Sequence, residues 1–415
     1  MGWPMLYKLE IENFLCFRER QIIDLTVSKT ASLDETHFAP IFEGATVKAP
    51  KTVIVYGANA SGKSTVIKAL SLLAYFVANS HEKRNAANLI CWPFADEDML
   101  KQPVCLAIEF GGVMDLDPTT NLIEAHGDGA YGVWRYELEV IRVNANTVRV
   151  HKEILRQKPN GAGKWRRVFE RNGGSLQGSK VFPLGNHTRE IEKIPDVSSV
   201  IGTLAWYEHR ASKALVDATQ TIFSNILLDK VDDDDSFLQY CWEFYQANPN
   251  AMESLNREIQ QLDVGIRQMR IDRGMNGSSV TFEHSGLAFP IVWMMESQGT
   301  RSFVRSFPGI YAALQSDGIA VMDELDLSLH PNILPEILDW FHSPTENPDA
   351  PQLWATCHTA SLMDDLLKEE IIFCEKDWRG CAQAYCLKEI QGVRRNERFS
   401  KKYLGGVYGG IPNIG

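Results

Sequence analysis

Lys63 and Ser64 close the string Gly57-Ala-Asn-Ala-Ser-Gly-Lys-Ser64, a match to G-x-x-x-x-G-K-[ST]. Those residue types at that spacing suit one task, holding a polyphosphate. Gly57 and Gly62 let the backbone curl so that successive N–H groups converge on one anion. The helix that begins there turns its positive dipole end and unpaired N–H groups toward the same phosphates. Lys63 would reach the β- and γ-phosphates, and the Ser64 hydroxyl would ligate Mg²⁺. The nucleotide-binding set is therefore Gly57, Asn59, Ala60, Ser61, Gly62, Lys63, Ser64 and Thr65, with ATP and Mg²⁺ as the expected cofactors.

A second group of acids completes that chemistry. Residues 318–322 form an apolar run ending in Asp323 and Glu324. An aspartate at a strand end beside a phosphate loop can hold Mg²⁺, directly or through water. A glutamate next to it can orient and deprotonate an attacking water, provided it comes within hydrogen-bond reach. A further apolar run, residues 351–356, ends in Cys357-His358-Thr359, where His358 could touch a γ-phosphate. Glu324 and His358 are thus the candidate catalytic residues, and Ser64 and Asp323 the candidate metal ligands.

The phosphate loop must sit between a strand and a helix, and the flanking sequence supplies both. An apolar run, residues 52–56, precedes it, and a helical pattern, residues 65–74, follows. Residues 5–27 alternate in the manner of two strands around a turn at 13–17. Four strand-like segments at 104–110, 132–142, 148–155 and 165–170, separated by turn residues, predict an antiparallel meander. From about 211 to 273 the pattern becomes helical, and it contains an acidic run, 232–235, expected to be a solvated loop or helix start. From about 278 strands return, then alternate with helices to residue 390. The fold class expected is α/β, with an antiparallel β-subdomain and a helical insertion. The divisions are residues 1–210, an insertion or lid at 211–277, and 278–415.

Composition fits a soluble globular protein: 415 residues, 44% hydrophobic and 23% charged. A formal net charge of −11 opposes sequence-independent DNA binding by overall charge. Eight scattered cysteines contain no C-x-x-C pair, as expected of reduced thiols in the cytoplasm. The first residues lack the pattern of a signal peptide, and no apolar run reaches the ~18 residues of a membrane span.

Taken together, these motifs resemble the ABC-type ATPases of bacterial defence systems, including the RloA, AbiL-type, AriA and PtuA ATPases. Those are relatives of the heads of the SMC and overcoming-lysogenization-defect proteins. The likeness rests on the opening Leu-Glu-Ile-Glu-Asn-Phe and on the phosphate loop. It rests also on Glu296-Ser-Gln-Gly-Thr300, which is similar to a shortened ABC signature loop. Residues 322–331, Met-Asp-Glu-Leu-Asp-Leu-Ser-Leu-His-Pro, resemble an extended Walker B and D-loop, and residues 356–359 an H-loop. The tail from Tyr403 to Pro412 is similar too, except that Val407 stands where the family usually has arginine. A Q-loop glutamine is not evident beyond Gln102.

The resemblance implies a head-to-tail dimer or higher oligomer in which Ser297 and Gly299 of one copy bind the γ-phosphate held by Lys63 of the other. His330 would then sit near the dimer seam. It also implies an ATP-driven switch in antiphage defence, of toxin–antitoxin-like design, that senses a phage protein or DNA. The switch would control a separately encoded effector, a nuclease being the expected kind. A rival reading is a DNA-binding SMC-like repair or maintenance ATPase. Its support is the basic residues Lys164, Arg166, Arg167 and Arg171, and Arg394, Arg395, Arg398, Lys401 and Lys402. A transporter ATPase ranks below both, because the signature departs from the long LSGGQ form.

Overall fold

The computed structural model describes residues 5–28, 33–80, 91–114, 131–144, 147–179, 194–206, 226–228, 235–262, 265–274, 277–327, 329–343, 350–395 and 397–411. The chain opens with β1 (Leu6–Glu12) and β2 (Gln21–Asp24), followed by the short pair β3 (Phe38–Pro40) and β4 (Lys48–Pro50). The phosphate-loop strand β5 (Thr52–Gly57) is buried along its whole length and leads into helix α1 (Lys63–Asn79). Then β6 (Val104–Val113), β7 (Tyr131–Asn144), β8 (Thr147–Pro159), β9 (Arg166–Asn172) and β10 (Ser175–Gly178) run back and forth. They form the expected meander, which β1 and β2 extend into a seven-stranded sheet ordered β10-β9-β8-β7-β6-β1-β2. All of its pairings are antiparallel.

Beyond α2 (Val200–Trp206) and β11 (Ile226–Leu228) come two helices, α3 (Asp235–Ala247) and α4 (Pro249–Leu262). Asp235 opens α3 as a helix start should, while 232–234 and 211–225 lie outside the described residues. The helical pattern expected to reach residue 273 ends at Leu262 instead. Residues Ile266–Gly274 form β12, paired with β13 (Gly277–His284) and, through it, with β14 (Ile291–Val292). The cause lies in that hairpin: Ile266, Met269, Val280 and Phe282 are buried against Tyr245, Leu255 and Ile259 of the helices. Asn256 fixes the register from α4, accepting from the Met269 amide at 2.7 Å. Phe303, Val304 and Phe307 of α5 (Gln298–Ser316) join the same core.

The chain ends in β15 (Ile319–Met322), α6 (Leu334–His342), β16 (Gln352–Thr356), β17 (Ile371–Lys376), β18 (Ala382–Cys386) and α7 (Phe399–Leu404). A six-stranded sheet ordered β11-β15-β16-β5-β17-β18 results, parallel except at its β18 edge. Strict alternation divides it between two cores. Val53, Val55, Val321, Trp354 and Ile372 face α1 and the antiparallel sheet. Ile54, Tyr56, Met322, Ala355 and Phe373 face α6 and the C-terminal segments instead. Both faces of the sheet are therefore covered, as a parallel sheet requires. The loop ends of β5, β15 and β16 consequently emerge side by side along one edge.

Candidate functional site: a phosphate loop and its carboxylates

The phosphate loop is held open by backbone that side chains tolerate poorly. Gly57 has φ +151° and Gly62 φ +113°, and a Cβ at Gly57 would stand 2.2 Å from the Cys374 carbonyl oxygen. Ala60 also adopts the left-handed region, at φ 62°. Lys63 is buried, and its ammonium donates to the Gly57 and Ala58 carbonyls, at 3.0 Å each. Burial lowers its pKa, against the pull of Cys374 and the carboxylates of Asp323, Glu324 and Asp326. Ser61 Oγ is buried within the loop without a hydrogen-bond partner. Asn59 is exposed, while Thr65 is buried with its hydroxyl 3.2 Å from Cys16 Sγ.

Strand order explains how the acids reach this loop. The strand carrying Asp323 and Glu324 is not a neighbour of β5, because β16 lies between them. Thr356, at the end of β16, spans the gap. Its hydroxyl donates to Asp323 Oδ1 at 2.6 Å and accepts from the Glu324 amide at 2.6 Å. Ser64 Oγ donates to the same Asp323 Oδ1, at 3.1 Å. Glu324 is itself in the left-handed region, φ 56°, which a residue with a Cβ adopts only when its surroundings impose it. The Thr356 hydroxyl and the bond from the Leu327 amide to the Glu324 carbonyl (2.8 Å) impose it here. Sequence reasoning missed Thr356 as a functional residue; its signal was its place one step before the Cys-His pair.

The D-loop is tied to the H-loop in the same way. Asp326 Oδ2 accepts from the His358 amide at 2.9 Å and from the Thr359 hydroxyl at 2.7 Å. The backbone of His358 is thereby fixed while its imidazole stays exposed. His330 is exposed too, and its Nδ1 accepts from the Asn332 amide at 3.2 Å.

Ser297 and Gly299 stand apart from this cluster in hydrogen bonding. Ser297 caps α5, accepting from the Thr300 amide at 3.1 Å, and its own amide donates to Glu296 at 3.2 Å. The exposed Ser297 marks the positive end of a 19-residue helix. Gln102 is exposed, and its carbonyl accepts from Asn13 at 3.1 Å, a structural bond.

The two basic groups prove unlike each other and unlike a nucleic-acid groove. Arg171 is buried, donating to the carbonyls of Gly173, Ser198 and Pro195 beside the buried Glu153. It is unavailable to a phosphate backbone. Arg395 pairs with Glu369 at 3.3 Å and Lys402 with Glu397 at 2.7 Å. Arg166 and Arg167 lie exposed on β9.

The donor set fits a magnesium nucleotide. An ammonium, an unpartnered serine hydroxyl and a second hydroxyl bonded to an aspartate surround one glycine loop at a helix N-terminus. Strand, loop, helix and paired strand-end acids define a P-loop ATPase. Residues 133–364 match the family model described as "AAA domain, putative AbiEii toxin, Type IV TA system", and the chain belongs to that family. No curated protein matches the chain. Among solved structures it is similar to an SMC head bound to the C-winged helix domain of ScpA, at 14% identity and TM-score 0.45, covering 92% of this chain and 99% of that one. It is also similar to the SMC head domain from Thermotoga maritima, at 14% identity and TM-score 0.39, covering 92% and 98%. A Pyrococcus furiosus Smc head with an extended coiled coil, bound to the C-terminal domain of ScpA, gives 13% identity and TM-score 0.40, covering 97% and 99%. Among the described residues no helix is long and apolar enough to cross a membrane.

Proposed function

We propose that the protein is a Mg²⁺-dependent ATP switch whose two states control a separately encoded toxic effector in bacterial antiphage defence. The observation that carries the ATPase part is the unbroken chain Ser64–Asp323–Thr356–Glu324. In this reading Lys63 leaves the Gly57 and Ala58 carbonyls for the β- and γ-phosphate oxygens, and Ser61 gains its missing partner there. Ser64 and Asp323 hold Mg²⁺, which when bound neutralises charge on the phosphates. Glu324 orients the attacking water and accepts its proton, while Thr356 keeps the carboxylate aimed. His358 approaches the γ-phosphate from the H-loop. Ser297 and Gly299 act on the nucleotide of a second copy, where the α5 dipole end would favour a γ-phosphate over a vacant site. Occupancy of that phosphate would distinguish the two states, since it adds contacts in one of them only.

Support for the defence role comes from the family description, with its type IV toxin–antitoxin system, and from the sequence resemblance to defence ATPases. The segment 211–277 serves in this reading as a lid or partner surface. The DNA-maintenance alternative loses Arg171 to burial and Arg395 and Lys402 to internal pairing, and keeps the exposed Lys164, Arg166, Arg167, Arg394, Arg398 and Lys401. The test is recovery of the native protein from cells carrying its neighbouring genes, comparing Glu324→Gln with Lys63→Ala. Glu324→Gln should bind ATP without hydrolysing it and retain a stoichiometric partner differently from Lys63→Ala, which should bind ATP poorly. Recovery of both variants alone, or only with DNA, would end the effector-switch reading.

A further inference from the structure

At the end of β5 remote from the phosphate loop, three side chains from distant parts of the chain converge. His37 precedes β3, His342 is the last residue of α6, and Glu370 precedes β17. One ligating atom from each lies within 4.8 Å of the others. His37 Nδ1 is 2.9 Å from Glu370 Oε2, and His342 Nε2 is 2.8 Å from Glu370 Oε1. The two imidazoles are packed with centroids 4.2 Å apart, so both present nitrogen to one small volume. His342 and Glu370 are buried, whereas His37 is partly exposed and leaves a path of entry.

We propose that His37, His342 and Glu370 form a structural site for a zinc-like transition-metal dication. Two imidazole nitrogens and one carboxylate make a donor set that such ions favour, with a water able to complete four ligands. The carboxylate already has the outer support that ligands of this kind carry. Thr52 Oγ1 donates to Oε1 at 2.5 Å, and the Leu367 amide donates to Oε2 at 2.7 Å. The hard cations Mg²⁺ and Ca²⁺ prefer all-oxygen shells, and two of the three donors here are nitrogen. Lys51, whose ammonium donates to the carbonyls of Glu35 and His342, adds a like charge nearby. Because Thr52 is the first residue of β5, the ion would tie three chain segments around the base of the phosphate-loop strand.

The experiment begins with elemental analysis of protein purified without chelator. It continues with a Co²⁺ titration of chelator-treated protein, read by the visible absorption of tetrahedral Co(II). About one equivalent of zinc per chain is expected, along with a cobalt spectrum that added Zn²⁺ abolishes. His342→Ala and Glu370→Gln should lose both signals, and Thr52→Val should weaken metal binding by about 10–100-fold. Asp323→Asn, on the nucleotide side, should leave both signals intact. If the buried variants fail to fold, His37→Gln at the partly exposed position tests the same point. A wild-type protein with neither zinc nor a cobalt spectrum would overturn the proposal, leaving a hydrogen-bonded cluster. So would metal retained in folded His37→Gln, or metal lost in Asp323→Asn.

Discussion

Thr356→Val removes one hydroxyl and little volume at a fully buried position, so its effect isolates two hydrogen bonds. One goes to the Asp323 carboxylate and the other comes from the Glu324 amide, both at 2.6 Å. A bond to a charged group is worth about 1.5–3 kcal/mol, and an orphaned buried amide costs about 1–3 kcal/mol. Part of that loss falls on folding. The remainder falls on turnover, because Glu324 at φ 56° is no longer held in its left-handed conformation. If about 2–3 kcal/mol reaches the transition state, kcat falls about 30–150-fold. Nucleotide affinity should change little, since the lysine and the glycine loop keep their contacts. Steady-state ATP turnover with Mg²⁺, paired with equilibrium binding of a fluorescent ATP analogue, separates the two effects. Thr356→Ser retains the hydroxyl and should recover most of the rate. Turnover of the valine variant within about threefold of wild type would refute the coupling role. Equal impairment of the serine variant would refute it as well.

Gly57→Ala meets both a positive φ and a backbone oxygen 2.2 Å from the new Cβ. It should destabilise the fold even without nucleotide, by at least the ~1–2 kcal/mol that left-handed backbone costs an L-residue; a lowered thermal midpoint in scanning calorimetry checks this. A pH effect should arise at Glu10, where burial alone would raise the carboxyl. The bonds from Arg135 and Arg20 outweigh burial and hold it at about 2, against an ordinary 4.5. A depressed carboxylate stabilises above its unfolded pKa and loses that stabilisation as pH falls through the folded one. The advantage of wild type over Glu10→Gln, about 3 kcal/mol at pH 7, should therefore shrink between pH 4.5 and pH 2 in denaturant titrations. A constant difference would refute it. Mixing Ser297→Arg with Lys63→Ala tests assembly. If each site takes its loop from one copy and its signature from the other, half the dimers mix and each has one intact site. Activity then returns to about a quarter of wild type from two inactive parents, whereas cis sites would give no rescue.

Elements whose residues are neighbours in the chain were legible in advance. The phosphate loop is one contiguous string, and the meander shows as alternation broken by turns, so both could be placed from sequence. The Asp323 and Glu324 pair was also found, because a strand end exposes its acids whatever lies beside it. What joins them was not, since Thr356 meets Asp323 only because β16 is inserted between β15 and β5. No local pattern encodes that order. Arg171 failed for a related reason. It reads as one more charge in a basic run, yet the turn after β9 and the segment before α2 close over it and occupy its donors with carbonyls. The helical reading of 266–273 failed because three or four apolar residues over so short a span fit either period. There the partner strand β13 decided the outcome.

The bonds of the strand-end acids also set the route by which a nucleotide signal would leave the site. Asp323, Glu324 and Asp326 occupy four consecutive positions with Leu325, and each is bonded to the end of β16 rather than to its own strand's neighbours on the far side. These bonds tie the loop after β15 to the loop after β16, so a displacement of one is resisted by the other. The D-loop leads through His330 into α6, whose buried face shares a core with the second half of α5, where Ile310 and Ala313 lie. The first half of α5 begins at Ser297 and packs through Phe303, Val304 and Phe307 into the core of α3, α4 and the β12–β13 hairpin. One helix thus connects the nucleotide-side core to the inserted one. Under the proposed function, α5 is the element that would carry a γ-phosphate contact at Ser297 to the core of α3, α4 and the β12–β13 hairpin. Ile310→Val, which trims one methyl where α5 meets the α6 core, should lower nucleotide-dependent partner retention by a larger factor than steady-state ATP turnover; equal losses in the two assays would refute coupling through α5.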